Sequence, residues 1–262
     1  MNLTGVTIPN SVTNIGSYAF AYCGLTALIL PGSVQTVGDN AFQNCHSLTN
    51  LTILNGVTSI GNAAFYFCTA LTNVVLPNSV TNLGSLAFAN CPRLASITLS
   101  ASLTRLAGFT FNNCSRLANV TIPTGITVIS NNAFQNCTSL LGVYFKGDAP
   151  SLGAAVFNGD TKATVYYLPG TSGWGTTFGG LPAILWNPQV QTAGNSFGVR
   201  TNKFGFVIAG SSNLVIIVEG CTNLAVPNWS PAGTNTLTNG FSYFGDARWT
   251  NFPGRYYRLR SP

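Results

Sequence analysis

The sequence predicts a repeat solenoid, a parallel β stack with little helix, followed by a small all-β, sandwich-like domain. A Phe-x-x-Cys frame recurs six times, ending at Cys23, Cys45, Cys68, Cys91, Cys114 and Cys137, with one interval of 22 residues and four of 23. A copy that short cannot bury a core alone, so the copies stack. Within each copy apolar residues alternate in period two, the signature of extended chain. The period ends near residue 168, and beyond 189 short extended runs are separated by turns.

The 262 residues are 46% apolar, ample for a core, but only 6% charged, against about 25% in ordinary soluble domains. Asn, Thr, Ser and backbone must therefore solvate the surface, which suits neutral partners such as glycans or other proteins. The net charge of +6 divides into five basic against three acidic residues in 1–168 and six against two in 189–262. Neither half is basic enough to demand nucleic acid. No apolar run approaches the roughly 20 residues of a membrane span; the longest notable one is Leu214–Val218. Leu3–Pro9 already matches a repeat strand, so the chain reads as having neither signal peptide nor amino-terminal cap, and as a fragment or processed form.

In register, each main strand turns three apolar residues inward, from Leu25/Leu28/Leu30 through Leu71/Val74/Leu76 to Leu140/Val143/Phe145, with Ala163/Tyr166/Leu168 as the last copy. Counting Val6/Ile8, about eight rungs occupy 1–168. Pro follows at 9, 31, 77, 123 and 169, where it ends a strand without costing a ladder bond. A second short extended run carries Val12/Ile15, Val34/Val37 and their equivalents. The small residue after it is Gly at 16, 38, 61 and 84 but Ala107 and Ser130 later, so close packing explains it better than positive φ. The 22-residue interval shortens one corner, because Cys23-Gly-Leu25 stands where Cys45-His-Ser-Leu48 has one residue more. Eight rungs at about 4.8 Å make a rod roughly 38 Å long whose ends expose strand edges unless capped.

The copy Ile-Pro-Asn-Ser-Val-Thr-Asn-Ile-Gly-Ser-Tyr-Ala-Phe-Ala-Tyr-Cys from Ile8 to Cys23, and its successors, resemble BspA-type leucine-rich repeats over about 1–168. The resemblance implies a leucine-rich-repeat solenoid of a bacterial surface or secreted protein, engaged in adhesion to host proteins and other cells. It implies an extracellular or cell-surface location and brings no catalytic residues.

The repeat cysteines occupy one column, each one turn after a core Phe, and read as buried, inert, small hydrophobes. Rungs at strand spacing hold Cβ atoms farther apart than the roughly 3.8 Å of a disulfide, which argues against a disulfide ladder. No paired C-x-x-C supplies a metal site, Cys221 makes the count odd, and His46 reads as a surface corner. No cofactor is implied. Catalysis is poorly supported: of the five acids only Asp148 and Asp160 fall near each other, nothing builds a cleft between them, and there is no G-x-S-x-G elbow.

Recognition is therefore expected on the outward strand face, in columns of Thr26, Thr49 and Thr72; Asn50, Asn73 and Asn119; and Thr52, Thr98 and Thr121, ending in Tyr144 and Tyr167. Such a face could hydrogen-bond a polysaccharide, with the tyrosines stacking on sugar rings, although β-branched polar residues also simply suit an exposed sheet. Arg93, Arg116 and Lys162 share one corner as a basic ridge, which reads first as solvated surface and second as an attractor of acidic polymers.

Residues 169–188, rich in Gly and holding Trp174 and Phe178, read as a cap and linker. Residues 189–262 read as a small antiparallel β domain with strands at Ser196–Val199, Phe204–Ala209, Leu214–Glu219, Trp229–Leu237, Phe241–Phe244 and Tyr256–Arg260, and a hairpin turn at Gly210–Asn213. Its Arg255-Tyr-Tyr-Arg258 strand resembles those ending carboxy-terminal modules of secreted bacterial repeat proteins, which suggests display or anchoring. The cluster of Arg248, Trp249, Arg255, Tyr256, Tyr257, Arg258 and Arg260 could stack on nucleic acid, but alternating strand faces explain it more simply. The leading expectation is a non-catalytic surface recognition protein binding a protein or glycan. The alternative is a structural surface protein that joins end to end through exposed rung edges, as a homo-oligomer or filament. Ice binding is disfavoured because Ala95, Ala118 and Leu141 interrupt the first Thr column.

Overall fold

A computed structural model describes residues 3–193 and 197–262; the Ser196 end of one expected strand lies outside them. The chain divides into two compact units between Ala183 and Ile184.

In the first unit, seven strands, Ala27–Leu30, Asn50–Ile53, Asn73–Val75, Ser96–Thr98, Asn119–Ile122, Gly142–Phe145 and Thr164–Tyr167, follow one another in a parallel sheet. Among the described residues seven rungs carry main-sheet strands, against about eight expected. Val6 and Ile8 form no strand, although the Thr26 N–H donates to Thr4 O at 3.3 Å. The register runs Ala27–Asn50, Asn73–Ser96–Asn119 and Asn119–Gly142–Thr164. The last step corrects the expected frame: Val143 pairs with Val165 and Phe145 with Tyr167, so Tyr166 faces outward and Tyr167 inward. One residue is lost there, since Leu140-Leu141-Gly142 is matched by Ala163-Thr164.

Short strands on the adjoining side form two parallel sheets, one from Asn14–Ile15 to Asn82–Leu83 and one from Arg105–Leu106 to Ser151–Leu152. Three of the four glycines that follow the strands of the first of these sheets are required by packing. A Cβ at Gly38, Gly61 or Gly84 would lie 2.5–2.9 Å from backbone of the preceding rung, whereas Gly16 has nothing within 4 Å. The ladder breaks between Leu83 and Leu106, where the small residue first becomes Ala107. At that step the Phe88 and Phe111 rings stand 6.0 Å apart, against 5.3 Å at each of the three steps before. The next step, to Ser130, keeps its ladder.

The core is a stack of Phe rings from Phe20 to Phe157, parallel within 17°, flanked by the leucine rows and the cysteine column. The Phe turn has its own ladder: Tyr18, Phe20 and Tyr22 donate N–H to Asp39, Ala41 and Gln43 carbonyls, and later rungs repeat this. That geometry puts two residues per turn at positive φ, one column from Tyr18 to Ala155 and one from Tyr22 through Asn44, Phe67, Asn90, Asn113 and Asn136 to Gly159. Asn is the residue most tolerant of that region after Gly. Trp174 and Phe178 pack against Phe145, with Trp174 stacked 5.0 Å from Tyr167. The antiparallel pair Thr177–Phe178 and Leu181–Leu185 continues the main sheet beyond Thr164–Tyr167.

Among the described residues the second unit holds two antiparallel sheets. In one, Lys203–Ala209 pairs with Gln189–Gln191, Phe197–Arg200 and Phe241–Asp246; in the other, Val215–Cys221 lies between Ser230–Thr236 and Tyr256–Arg260. Gly210–Asn213 is therefore not a hairpin turn, because the strands on either side of it belong to different sheets. It is tied instead to the neighbouring connection by Gly210 N–H to Gly240 O and Asn213 N–H to Leu237 O. Phe206, Ile208, Ile216, Val218, Leu237 and Phe244 are buried in this unit. Among the described residues there is no α-helix, only a 3-10 turn at Trp249–Asn251, and no helix long and apolar enough to cross a membrane.

Candidate binding face

Strand alternation sets the outward face: Leu28 and Leu30 point in, Ala27 and Ile29 out. Ladder register then makes two outward columns, Ala27–Asn50–Asn73–Ser96–Asn119–Gly142–Thr164 and Ile29–Thr52–Val75–Thr98–Thr121–Tyr144–Tyr166. Thr26, Thr49 and Thr72 lie just ahead of the strands. Thr26, Thr49, Asn50, Thr52, Asn73 and Thr98 are exposed, whereas Thr72, Asn119 and Thr121 are half-buried.

Part of this polar surface satisfies itself. The Thr49 hydroxyl donates to Thr26 O at 3.0 Å, Asn73 Nδ2 to Thr72 Oγ1 at 3.3 Å, and the Ser96 hydroxyl to Asn73 Oδ1 at 2.9 Å. Sequence reasoning missed that the same face carries large apolar side chains: Ile29 is 60% exposed, Val75 61% and Leu141 55%. They were legible as residues, but scanning only for polar columns passes over them.

The two tyrosines do not sit where expected. Tyr144 is outward in register yet only 5% exposed. Its ring folds back over its own strand at Gly142, where a Cβ would meet Tyr144 Cε2 at 2.5 Å, and stacks on Tyr166 with centroids 4.9 Å apart. Gly142 takes the place of the column's Asn and makes that room. Burial raises the Tyr144 and Tyr166 pKa values. Tyr167 is turned inward against Trp174 by the lost residue. Neither ring is presented flat to solvent for stacking.

Arg93, Arg116 and Lys162 are exposed, and no ion pair to them occurs among the described residues. Near them the Phe turns form a second surface feature, a groove of about 340 Å³ lined by Phe67, Thr69, Asn90, Pro92, Asn113, Ser115, Asn136 and Thr138. Its wall is an asparagine ladder, Asn113 Nδ2 donating to Asn90 Oδ1 at 2.8 Å and Asn136 Nδ2 to Asn113 Oδ1 at 2.9 Å. The signal was present in the sequence, where Asn precedes Cys at 44, 90, 113 and 136.

All seven cysteines are free and buried. Each repeat thiol from Cys45 to Cys137 donates to the Phe carbonyl of the preceding rung at 3.1–3.3 Å. Burial pushes Cys45 up to about 11 and Cys91 up to about 12. Asp148 is exposed and accepts the Ser172 N–H at 2.6 Å, while Asp160 is buried beside a cavity that Asp148 does not line. His46 is exposed and meets Phe67 edge-on. Among the described residues no cluster of His, Cys, Asp or Glu could hold a metal.

In the second unit the arginine-rich strand is matched internally. Glu219 accepts from Arg258 Nε at 2.7 Å and Arg260 Nε at 2.8 Å. Asp246 accepts the Tyr257 hydroxyl at 3.0 Å and lies 3.1 Å from Arg255 Nε. Tyr257 stacks on Phe204, and the Arg258 guanidinium lies over Trp229. This arrangement accounts for Arg255, Tyr257, Arg258 and Arg260 without a nucleic acid.

A family model described as BspA type leucine rich repeat region matches in six copies, over residues 1–74 and 35–164. A solved leucine rich repeat protein of T. pallidum is 28% identical, covering 58% of this chain and 72% of its own, with a TM-score of 0.56. A leucine rich cell surface protein of Faecalibacterium prausnitzii is 29% identical, covering 62% of this chain and 52% of its own, with a TM-score of 0.44. A leucine-rich repeat protein of Eubacterium ventriosum is 26% identical, covering 56% and 46%, with a TM-score of 0.49. No curated protein matches.

Proposed function

The chain is a member of the BspA-type leucine-rich repeat family, and from that premise we propose that it is a non-catalytic recognition protein of the bacterial cell surface or its exterior, holding a protein or glycan on its outward strand face. One observation supports this most: Ile29 and Val75 stand about three-fifths exposed in one column with Thr52 and Thr98, flanked by Asn50 and Asn73 and free of charge. Exposed apolar groups set among hydroxyls and amides suit a partner offering both apolar contact and hydrogen bonds. With Tyr144 and Tyr166 buried, sugar stacking contributes little, which favours a protein partner over a polysaccharide.

The test is to pass the full chain over immobilised matrix proteins and polysaccharides while following its oligomeric state by light scattering. Saturable binding that Thr52→Lys weakens at least tenfold is the expected result. Binding unaffected by Thr52→Lys, or none across the panel, counts against the proposal. The end-to-end alternative has less support, since the main sheet continues past Thr164–Tyr167 into an antiparallel pair instead of ending on an open parallel rung.

A further inference from the structure

Asp160 stands in the cysteine column. Phe157-Asn-Gly-Asp160 continues the Phe-x-x-Cys frame, 23 residues after Cys137, with Phe157 stacked 5.7 Å from Phe134 and Asp160 N–H bonded to Phe157 O as Cys137 N–H is to Phe134 O. Asp160 is 1% exposed, and among the described residues neither carboxylate oxygen has a side-chain or backbone donor within hydrogen-bond geometry. The five thiols before it show what this position offers: each donates to the Phe carbonyl of the rung below. By the repeat, the equivalent acceptor for Asp160 is Phe134 O. A carboxylate cannot donate, so the ionised group faces an acceptor, whereas the protonated acid supplies the O–H that the column uses.

No neighbouring charge favours ionisation. Apart from Asp160 itself, none of the residues lining the cavity of about 370 Å³ beside it, Phe157, Gly179 and Leu181 among them, is ionisable. From the rung below, the facing titratable group is Cys137, a neutral thiol. The Cys137 N–H, given to Phe134 O at 3.1 Å, also favours the Asp160 carboxylate, but by less than burial opposes it. Lys162, on the same rung, is an exposed corner.

We propose that Asp160 is an acid-locked joint: protonated, it closes the last rung as a surrogate cysteine, and on ionisation it loosens that rung together with the Gly179–Leu181 segment against it. Gly179, at φ +60°, lies so close to Phe157 and Leu152 that a Cβ there would sit 2.8–2.9 Å from their side chains, which couples that segment to the turn holding Asp160. The consequence is a carboxy-terminal end of the solenoid that is tight in acidic surroundings and opens toward neutral and alkaline pH.

Burial holds the Asp160 pKa at about 7 instead of 3.8. A raised acid pKa means that the closed state is favoured below the ordinary value and is progressively weakened as pH rises, levelling off above about 7. The test is hydrogen exchange on the full chain over residues 163–183 at pH 5 and pH 8, corrected for intrinsic rates. The expected opening increases about a hundredfold from pH 5 to pH 8. Asp160→Cys, which restores the column, and Asp160→Asn, which keeps the size without the charge, should each abolish the increase. A pH-independent wild-type chain, or an undiminished increase in either folded variant, would overturn the proposal.

Discussion

At the residue scale the solenoid is governed by what lies directly below each side chain. Gly84 is the sharpest case, because a Cβ there would sit 2.5 Å from Asn62 N and Gly61 C, both backbone. Gly84→Ala should destabilise the fold by about 1–3 kcal/mol, as overpacking does. Gly16→Ala, with nothing within 4 Å, should change little, and denaturant midpoints of the two variants compare them directly. The cysteines follow the same logic. All seven are buried, and those from Cys45 to Cys137 are bonded to Phe carbonyls and pushed up in pKa by burial, so they should resist a thiol reagent at pH 8 in the folded chain and all react on unfolding. Fast labelling of even one repeat cysteine in the native chain would contradict this packing.

At the scale of elements, the strand sequence shows which residues pair and which only look alike. The 23-residue period, the inward leucines and the packing role of Gly38, Gly61 and Gly84 were legible, because each rung repeats the same contacts and a periodic pattern records them. The last rung was not, since one residue dropped between Ala163 and Thr164 moves Tyr166 outward and Tyr167 inward, and a single deletion leaves no mark in an irregular copy. The Gly210–Asn213 turn looked like a hairpin because turn chemistry is local, whereas sheet membership is decided by distant partners. In the second unit, Glu219 on the central strand of its sheet joins Arg258 and Arg260 of the neighbouring strand. Burial alone would raise its pKa, but those hydrogen bonds hold it below the ordinary value. This contribution is present above the unfolded pKa and is lost as pH falls through the folded one. Both arginines are over 40% exposed, so Glu219→Gln should cost only about 1–2 kcal/mol. That cost should shrink in acid, as measured by unfolding at pH 7 and pH 3.

At the scale of the molecule, the repeat must end on something other than a bare rung, and Trp174 and Phe178 do this by packing on Phe145 and Tyr167. A chain ending at 183 should therefore unfold cooperatively, whereas one ending at 168 should bind more hydrophobic dye and unfold at a lower temperature. Equal behaviour of the two would remove any capping role for 169–183. The candidate surface was half legible at this scale. The Thr and Asn columns followed from register, while the burial of Tyr144 depended on Gly142 making room for a ring, a contact within one strand that no periodicity encodes. The asparagine ladder of the Phe turns sits on a different side chain column, and it supplies the control for locating recognition.

The central claim, that recognition belongs to the strand face, is tested most directly by moving one charge between the two surfaces. Against whichever ligand the full chain retains, Val75→Lys on the strand face should lower affinity at least tenfold, by about 1.4 kcal/mol or more, while Thr69→Lys in the turn groove should leave it within twofold. The opposite ranking, with Thr69→Lys disruptive and Val75→Lys silent, would place recognition on the Phe turns and contradict the account.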